Sequence, residues 1–165
     1  MAEAFNEIVL PSVRAERYAA VAAEIAAVLD GEPNLTARMA TVASMLAASF
    51  DHYFWTGFYV VDPAKGDELV VGPYQGTLGC LRIAFGRGVC GAAAATRETQ
   101  VVADVHAFPG HIACDSRSAS EIVVPVFDAG GGLIAVLDVD SEQPAAFDGT
   151  DRLWLEKILA ETFAR

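Results

Sequence analysis

Basic residues are scarce in this chain: 11 Lys and Arg stand against 22 Asp and Glu, for a formal net charge of −11. Binding to phosphate backbones or anionic lipid surfaces needs clustered cations, so this balance argues against nucleic acid and membrane surfaces as partners. Long apolar runs are missing too, and no segment approaches the length that spans a bilayer. The start, Met1 to Glu7, has no basic region of the kind that opens a secretory signal, so the expected compartment is the cytoplasm. Cysteine is limited to Cys80, Cys90 and Cys114. Three cannot all pair within one chain, and the ordinary fate of an isolated Cys is burial as a small hydrophobe. Internal repeats, low-complexity tracts and divisive linkers are absent, which leaves one domain over residues 1–165.

What is present suits a compact fold with a substantial core, since 53% of the 165 residues are hydrophobic. After a lead-in over residues 1–13, helical spacing of Tyr18, Val21, Ala22, Ile25, Val28 and Leu29 predicts a helix from Arg14 to Leu29, stopped by Asp30-Gly31. Asn34 is placed to cap a second helix through Ser49, so two helices fill residues 14–50. From Tyr53 the composition turns aromatic and β-branched. A hairpin is expected across the turn signals of residues 62–67, with Thr77 to Ala84 as a further strand carrying Cys80. Gly86-Arg87-Gly88 leads into an alanine-rich short helix with Cys90 in its first turn, where the macrodipole favours a thiolate. Gln100 to Val105 reads as a short strand and His106 to His111 as a loop. Two strands follow within residues 53–140, and Asp148 opens a last helix over residues 148–163. Helices at both ends around about six mostly hairpin-linked strands make an α+β domain with a mostly antiparallel sheet.

The stretch from Phe108 to Asp140 concentrates chemistry. Alternation from Leu133 to Asp140 sends Asp138 and Asp140 to one strand face. A cysteine set among Glu121, Asp138 and Asp140 is electrostatically unfavourable, because like charges raise one another's pKa and acidic neighbours disfavour a thiolate. In the strand from Trp55, residues 55, 57 and 59 share a face, so Trp55 and Tyr59 flank a glycine notch of a size for a small apolar group. Aromatic residues in a strand are more often plain core, and His106 and His111 read first as loop packing. Gly86-Arg87-Gly88 lacks the fuller pattern of nucleotide-binding loops. A zinc site from the three cysteines with His106 or His111 has suitable ligand types but lacks the C-x-x-C spacing.

The order of elements, with Gly86-Arg87-Gly88-Val89-Cys90-Gly91, Val102-Ala103-Asp104-Val105 and Gly132 through Asp140, resembles a GAF domain. The three cysteines narrow this. Cys80, Cys90 in Gly-Val-Cys-Gly, and Cys114 in Gly110-His111-Ile112-Ala113-Cys114-Asp115, followed by Ser120-Glu121-Ile122-Val123, resemble the free methionine-R-sulfoxide reductases over nearly the whole chain. The resemblance implies reduction of free L-methionine-(R)-S-oxide by thiol chemistry, without a metal or bound organic cofactor. Cys114 is then the nucleophile that becomes a sulfenic acid and Cys80 the resolving thiol. Cys90 is an auxiliary or the alternative first nucleophile. Trp55, Tyr59, Glu121, Asp138 and Asp140 line the substrate pocket, thioredoxin supplies electrons, and the chain forms a homodimer. A noncatalytic GAF sensor of small molecules or oxidants is the competing class, and tight binding without turnover would distinguish it.

Overall fold

The computed structural model describes residues 2–112 and 114–165, with side chains from Val13 onward. Helix α1 (Ala2–Val28) and α2 (Leu35–Ser49) precede strands β1 (Trp55–Val61), β2 (Glu68–Gln75) and β3 (Arg82–Ala84). Helix α3 (Gly88–Thr96), β4 (Gln100–Val102), a 3-10 turn (Val105–Ala107), β5 (Ser120–Phe127), β6 (Leu133–Ser141) and α4 (Gly149–Phe163) complete the chain. The strands form one sheet in the order β3-β2-β1-β6-β5-β4, and every neighbouring pair is antiparallel.

Period-two alternation explains how this sheet serves two cores. Ile122, Val124 and Val126 of β5 and Ala135, Leu137 and Val139 of β6 pack with Phe58 against Tyr18, Ile25, Met39, Leu46, Leu155 and Ile158 of α1, α2 and α4. The intervening residues, Val123 and Val136, face the other way with Trp55, Tyr59, Ile83 and α3 residues Val89, Cys90 and Ala93. Both terminal helices therefore cover one face and the alanine-rich α3 the other. The acidic residues Glu121, Asp138 and Asp140 fall on the α3 side by the same alternation.

Three expectations need correction. Helix α1 begins at Ala2, so residues 2–13 continue the helix and are no lead-in; its Tyr18, Val21 and Ile25 lie in the core. Thr77 to Ala84 is a strand only at Arg82–Ala84. The preceding stretch, residues 76–81, is a loop that starts at Gly76 (φ +131°), whose backbone passes against the Trp55 ring. Cys80 therefore sits in a loop. Gln100–Val102 is shorter than expected because Asp104 turns the chain, accepting from the His106 amide at 3.0 Å. Asn34 does cap α2, its side chain accepting from the Ala37 amide at 2.9 Å.

Candidate active site

The pocket opens on the α3 side of the sheet, where three central strands meet. Trp55 and Tyr59 come from β1, Asp138 and Asp140 from β6, and Glu121 from β5, with Cys90 facing them from α3 and the loops of Cys80 and Cys114 at the mouth. Register fixes the arrangement: Trp55 pairs with Asp140 and Glu121 with the same Asp140. All eight residues singled out from sequence thus border one cavity. Directly opposed carboxyl groups destabilise a sheet when both are charged, and here Glu121 is buried at 5% exposure, as is Asp138, while Asp140 is half-buried.

Burial and mutual repulsion resolve the conflict by holding protons. Glu121 and Asp140 are pushed well above the usual carboxyl range, desolvation being the larger cause and the neighbouring Asp138 charge the next. Asp138 is raised by desolvation to about 6, and its Oδ1 has no hydrogen-bond partner. Asp138 is accordingly the first of the three to ionise as pH rises, and Glu121 and Asp140 hold their protons longer.

Cys90 answers the macrodipole expectation differently. Its sulfur lies 3.9 Å from Glu121 Oε1, and burial, then Asp138 and Glu121, raise its pKa well above the ordinary thiol value. Dehydration and acidic neighbours outweigh the helix start, so Cys90 stays protonated. Cys80 and Cys114 are joined by a disulfide with Cα atoms 5.9 Å apart.

The aromatic wall is tighter than the notch read from sequence. Trp55 stacks on Tyr59 at 5.6 Å between ring centroids and on Tyr74 at 5.0 Å. Tyr74 lies opposite Gly57 in the β1–β2 register, and a Cβ on Gly57 would collide with it. The glycine space is thus filled by close strand approach, and the cavity is bounded by Trp55 and Tyr59 but not by Tyr74. The wall also has polar edges: Trp55 Nε1 donates to the Thr77 carbonyl at 2.8 Å.

His111 borders the pocket, with Nε2 3.8 Å from Glu121 Oε2; burial, then His106, lower its pKa and keep it neutral. The zinc set weighed from sequence is not assembled, since Cys80 and Cys114 are bonded to each other. Among the described residues, one group offers three clustered ligand atoms, Cys90, Glu121 and Asp138, within 4.8 Å of one another. Ser118, Thr77 and Tyr74 escaped the sequence reading. Ser118 lies against Asp140 and lowers its pKa against the larger effect of burial, and only Asp115-Ser116-Arg117, a turn in which Asp115 Oδ1 accepts the Arg117 amide at 2.9 Å, carried a readable signal for the loop around them.

A curled six-stranded antiparallel sheet with α3 over one face and three helices over the other is a GAF domain, and residues 39–164 match the GAF domain family. GAF domain-containing protein A of Dictyostelium discoideum is 46% identical, with 87% of this chain and 89% of that protein covered. The free methionine-R-sulfoxide reductase of Saccharomyces cerevisiae is 41% identical over 78% of this chain and 74% of its own length. The crystal structure of the free methionine-R-sulfoxide reductase from Neisseria meningitidis in complex with its substrate superposes with a TM-score of 0.86 at 49% identity, covering 90% of this chain and 87% of that one. The chain belongs to the free methionine-R-sulfoxide reductase family of GAF-domain proteins. Among the described residues no helix is long and apolar enough to cross a membrane.

Proposed function

We propose that this protein reduces free L-methionine-(R)-S-oxide to L-methionine by cysteine chemistry. The observation that carries the reading is the Cys80–Cys114 disulfide beside a pocket that also holds the buried Glu121 and Asp138 carboxyl groups and the half-buried Asp140. The kinship with reductases of that name supports the same substrate.

In the reduced protein Cys114 attacks the sulfoxide sulfur. Its own sulfur is oxidised by two electrons as the substrate sulfur is reduced by two, and the oxygen ends on Cys114 as a sulfenic acid while methionine leaves. The sulfoxide oxygen gains electron density as its bond weakens, so a donor beside it lowers the barrier. Glu121 and Asp140 hold the protons for this, and the ionised Asp138 receives the substrate ammonium. Trp55 and Tyr59 supply the apolar wall for the S-methyl group, with Tyr74 stacked on Trp55 from outside the pocket. Cys90, protonated among acids, is the weaker nucleophile of the two candidates. Cys80 then condenses with the sulfenic acid, releasing water, and thioredoxin reduces the disulfide by exchange. The cycle needs no metal or bound organic cofactor; a homodimer in the cytoplasm completes the proposal.

The test is turnover of the purified protein on separated R and S epimers of free methionine sulfoxide, with dithiothreitol or thioredoxin as reductant. Turnover of the R epimer is expected, with little on oxidised methionine inside peptides, which lacks the free ammonium. Comparable rates on free and peptide-bound substrate overturn it. In a single turnover, Cys114→Ser should release no methionine while Cys80→Ser releases one equivalent; full release from Cys114→Ser removes Cys114 as nucleophile.

A further inference from the structure

Two loops must bring their sulfurs together once per cycle, and a second, noncovalent link joins them. Thr77 Oγ1 donates to Asp115 Oδ2 at 2.9 Å, bridging the loop of Cys80 to the loop of Cys114. Each end of this bridge is anchored separately. On one side the Thr77 carbonyl accepts from Trp55 Nε1 at 2.8 Å, and Trp55 is fixed in the core at 5% exposure. On the other, the Asp115 carboxylate accepts from the Arg117 amide at 2.9 Å, from Nε at 3.1 Å and from Nη2 at 2.8 Å. The Arg117 guanidinium lies 4.7 Å over the Phe54 ring, and the Phe54 amide donates to the Asp140 carbonyl at 2.8 Å. Both loops are therefore moored to successive residues at the start of one central strand. The charge-assisted bonds from Arg117 also hold Asp115 well below the usual carboxylate range, so the acceptor is a full anion at working pH.

We propose that Thr77 and Asp115 are positioning residues for the resolving step, holding the Cys80 loop against the Cys114 loop after methionine has left. The inference rests on the thiol cycle proposed above. In that step the Cys80 thiolate attacks the Cys114 sulfenic sulfur, the S–S bond forms, and hydroxide leaves and takes up a proton as water. Its rate depends on how often the two sulfurs lie within attacking distance, which is a matter of pre-organisation and not of acid strength. Neither mooring involves the two sulfurs, and the proposal requires the bridge to persist when the cysteines are reduced. Losing a hydrogen bond to a carboxylate at an exposed site should cut the docked population, and with it the resolving rate, by about tenfold.

The experiment compares wild type, Thr77→Val and Thr77→Ser, each pre-reduced and mixed with one equivalent of free methionine-(R)-sulfoxide. Methionine is quantified, sulfenic acid is trapped with dimedone, and the Cys80–Cys114 disulfide is followed by mass spectrometry. Thr77→Val should release its methionine while the disulfide lags about tenfold behind wild type and the Cys114 dimedone adduct accumulates. Thr77→Ser, which keeps the hydroxyl, should restore the wild-type rate. Disulfide formation at the wild-type rate in Thr77→Val, or an equal lag in Thr77→Ser, overturns the proposal. Hydrogen peroxide serves as a second oxidant, converting the Cys114 thiolate to the same sulfenic acid without the substrate pocket. The same lag must appear with peroxide, so this arm tests the bridge even if the sulfoxide proves not to be the substrate.

Discussion

Asp138 carries the sharpest consequence at the scale of single residues. Its Oδ1 is buried without a partner, and its pKa is raised to about 6, whereas Glu121 and Asp140 lie well above their ordinary values. Above pH 6 it is the anion among the three; below, it is a neutral acid. The substrate ammonium stays cationic throughout, so the ion pair proposed above can form only on the alkaline side. Wild-type KM for free methionine-(R)-sulfoxide is therefore expected to rise about tenfold between pH 7 and pH 5, following the ionised fraction of one group. Asp138→Asn should show a high KM that is flat across that interval, and a variant retaining the wild-type profile would assign the titration elsewhere. The alternation of β6 exposed Asp138 and Asp140 to a sequence reading because period two leaves no choice of face. Which of them keeps its proton was not legible, since that follows from depth and from Glu121 on a neighbouring strand. Thr77 and Tyr74 were illegible for a related reason: their roles come from what Trp55 touches after folding.

Among the elements, α4 shows how a helix start can fasten a fold. Asp148 caps it, accepting from the Thr150 amide at 2.9 Å, and Asp151 closes the capping box on the Asp148 amide at 2.9 Å. Asp151 does more than cap. It is fully buried and accepts from Tyr18 Oη at 2.6 Å and Arg14 Nη1 at 2.9 Å, tying α4 to α1. Asp148→Ala should cost about 1 kcal/mol, the usual worth of a cap. Asp151→Ala leaves a tyrosine hydroxyl and a guanidinium without their acceptor and should cost about 3 kcal/mol. Urea unfolding of both variants checks the order; equal losses would reduce Asp151 to a capping residue. The three long helices were legible because their apolar stripes repeat over several turns. Thr77 to Ala84 reads as one strand in the sequence, yet Gly76 and Gly79 lie so close to Trp55 that a side chain on either would collide with it. Ladder pairing to β2 is left to Val70, Leu69 and Glu68 opposite Arg82, Ile83 and Ala84.

For the whole molecule the disulfide links function to stability. It closes a loop with a sequence separation of 34 residues, which runs through β3, α3 and β4 and so spans both edges of the sheet. Constraining the unfolded chain over that length is worth about 4 kcal/mol at most in the chain-entropy account. The catalytic cycle proposed for the chain requires the reduced form to stay folded, because substrate meets Cys114 only when the bond is open. The remaining stability must come from contacts the redox state does not touch: the helix-covered face of the sheet, the Asp151 network and the β1–β6–β5 centre. Reduction is therefore expected to lower unfolding stability by about 2–4 kcal/mol while leaving a cooperative transition. Urea titrations with and without dithiothreitol measure the difference, and Cys80→Ser should match the reduced protein. Identical midpoints for oxidised and reduced protein would mean that the bond costs the native state as much as it takes from the unfolded one. A reduced form that is already unfolded would rule out a cycle in which the open pocket binds substrate.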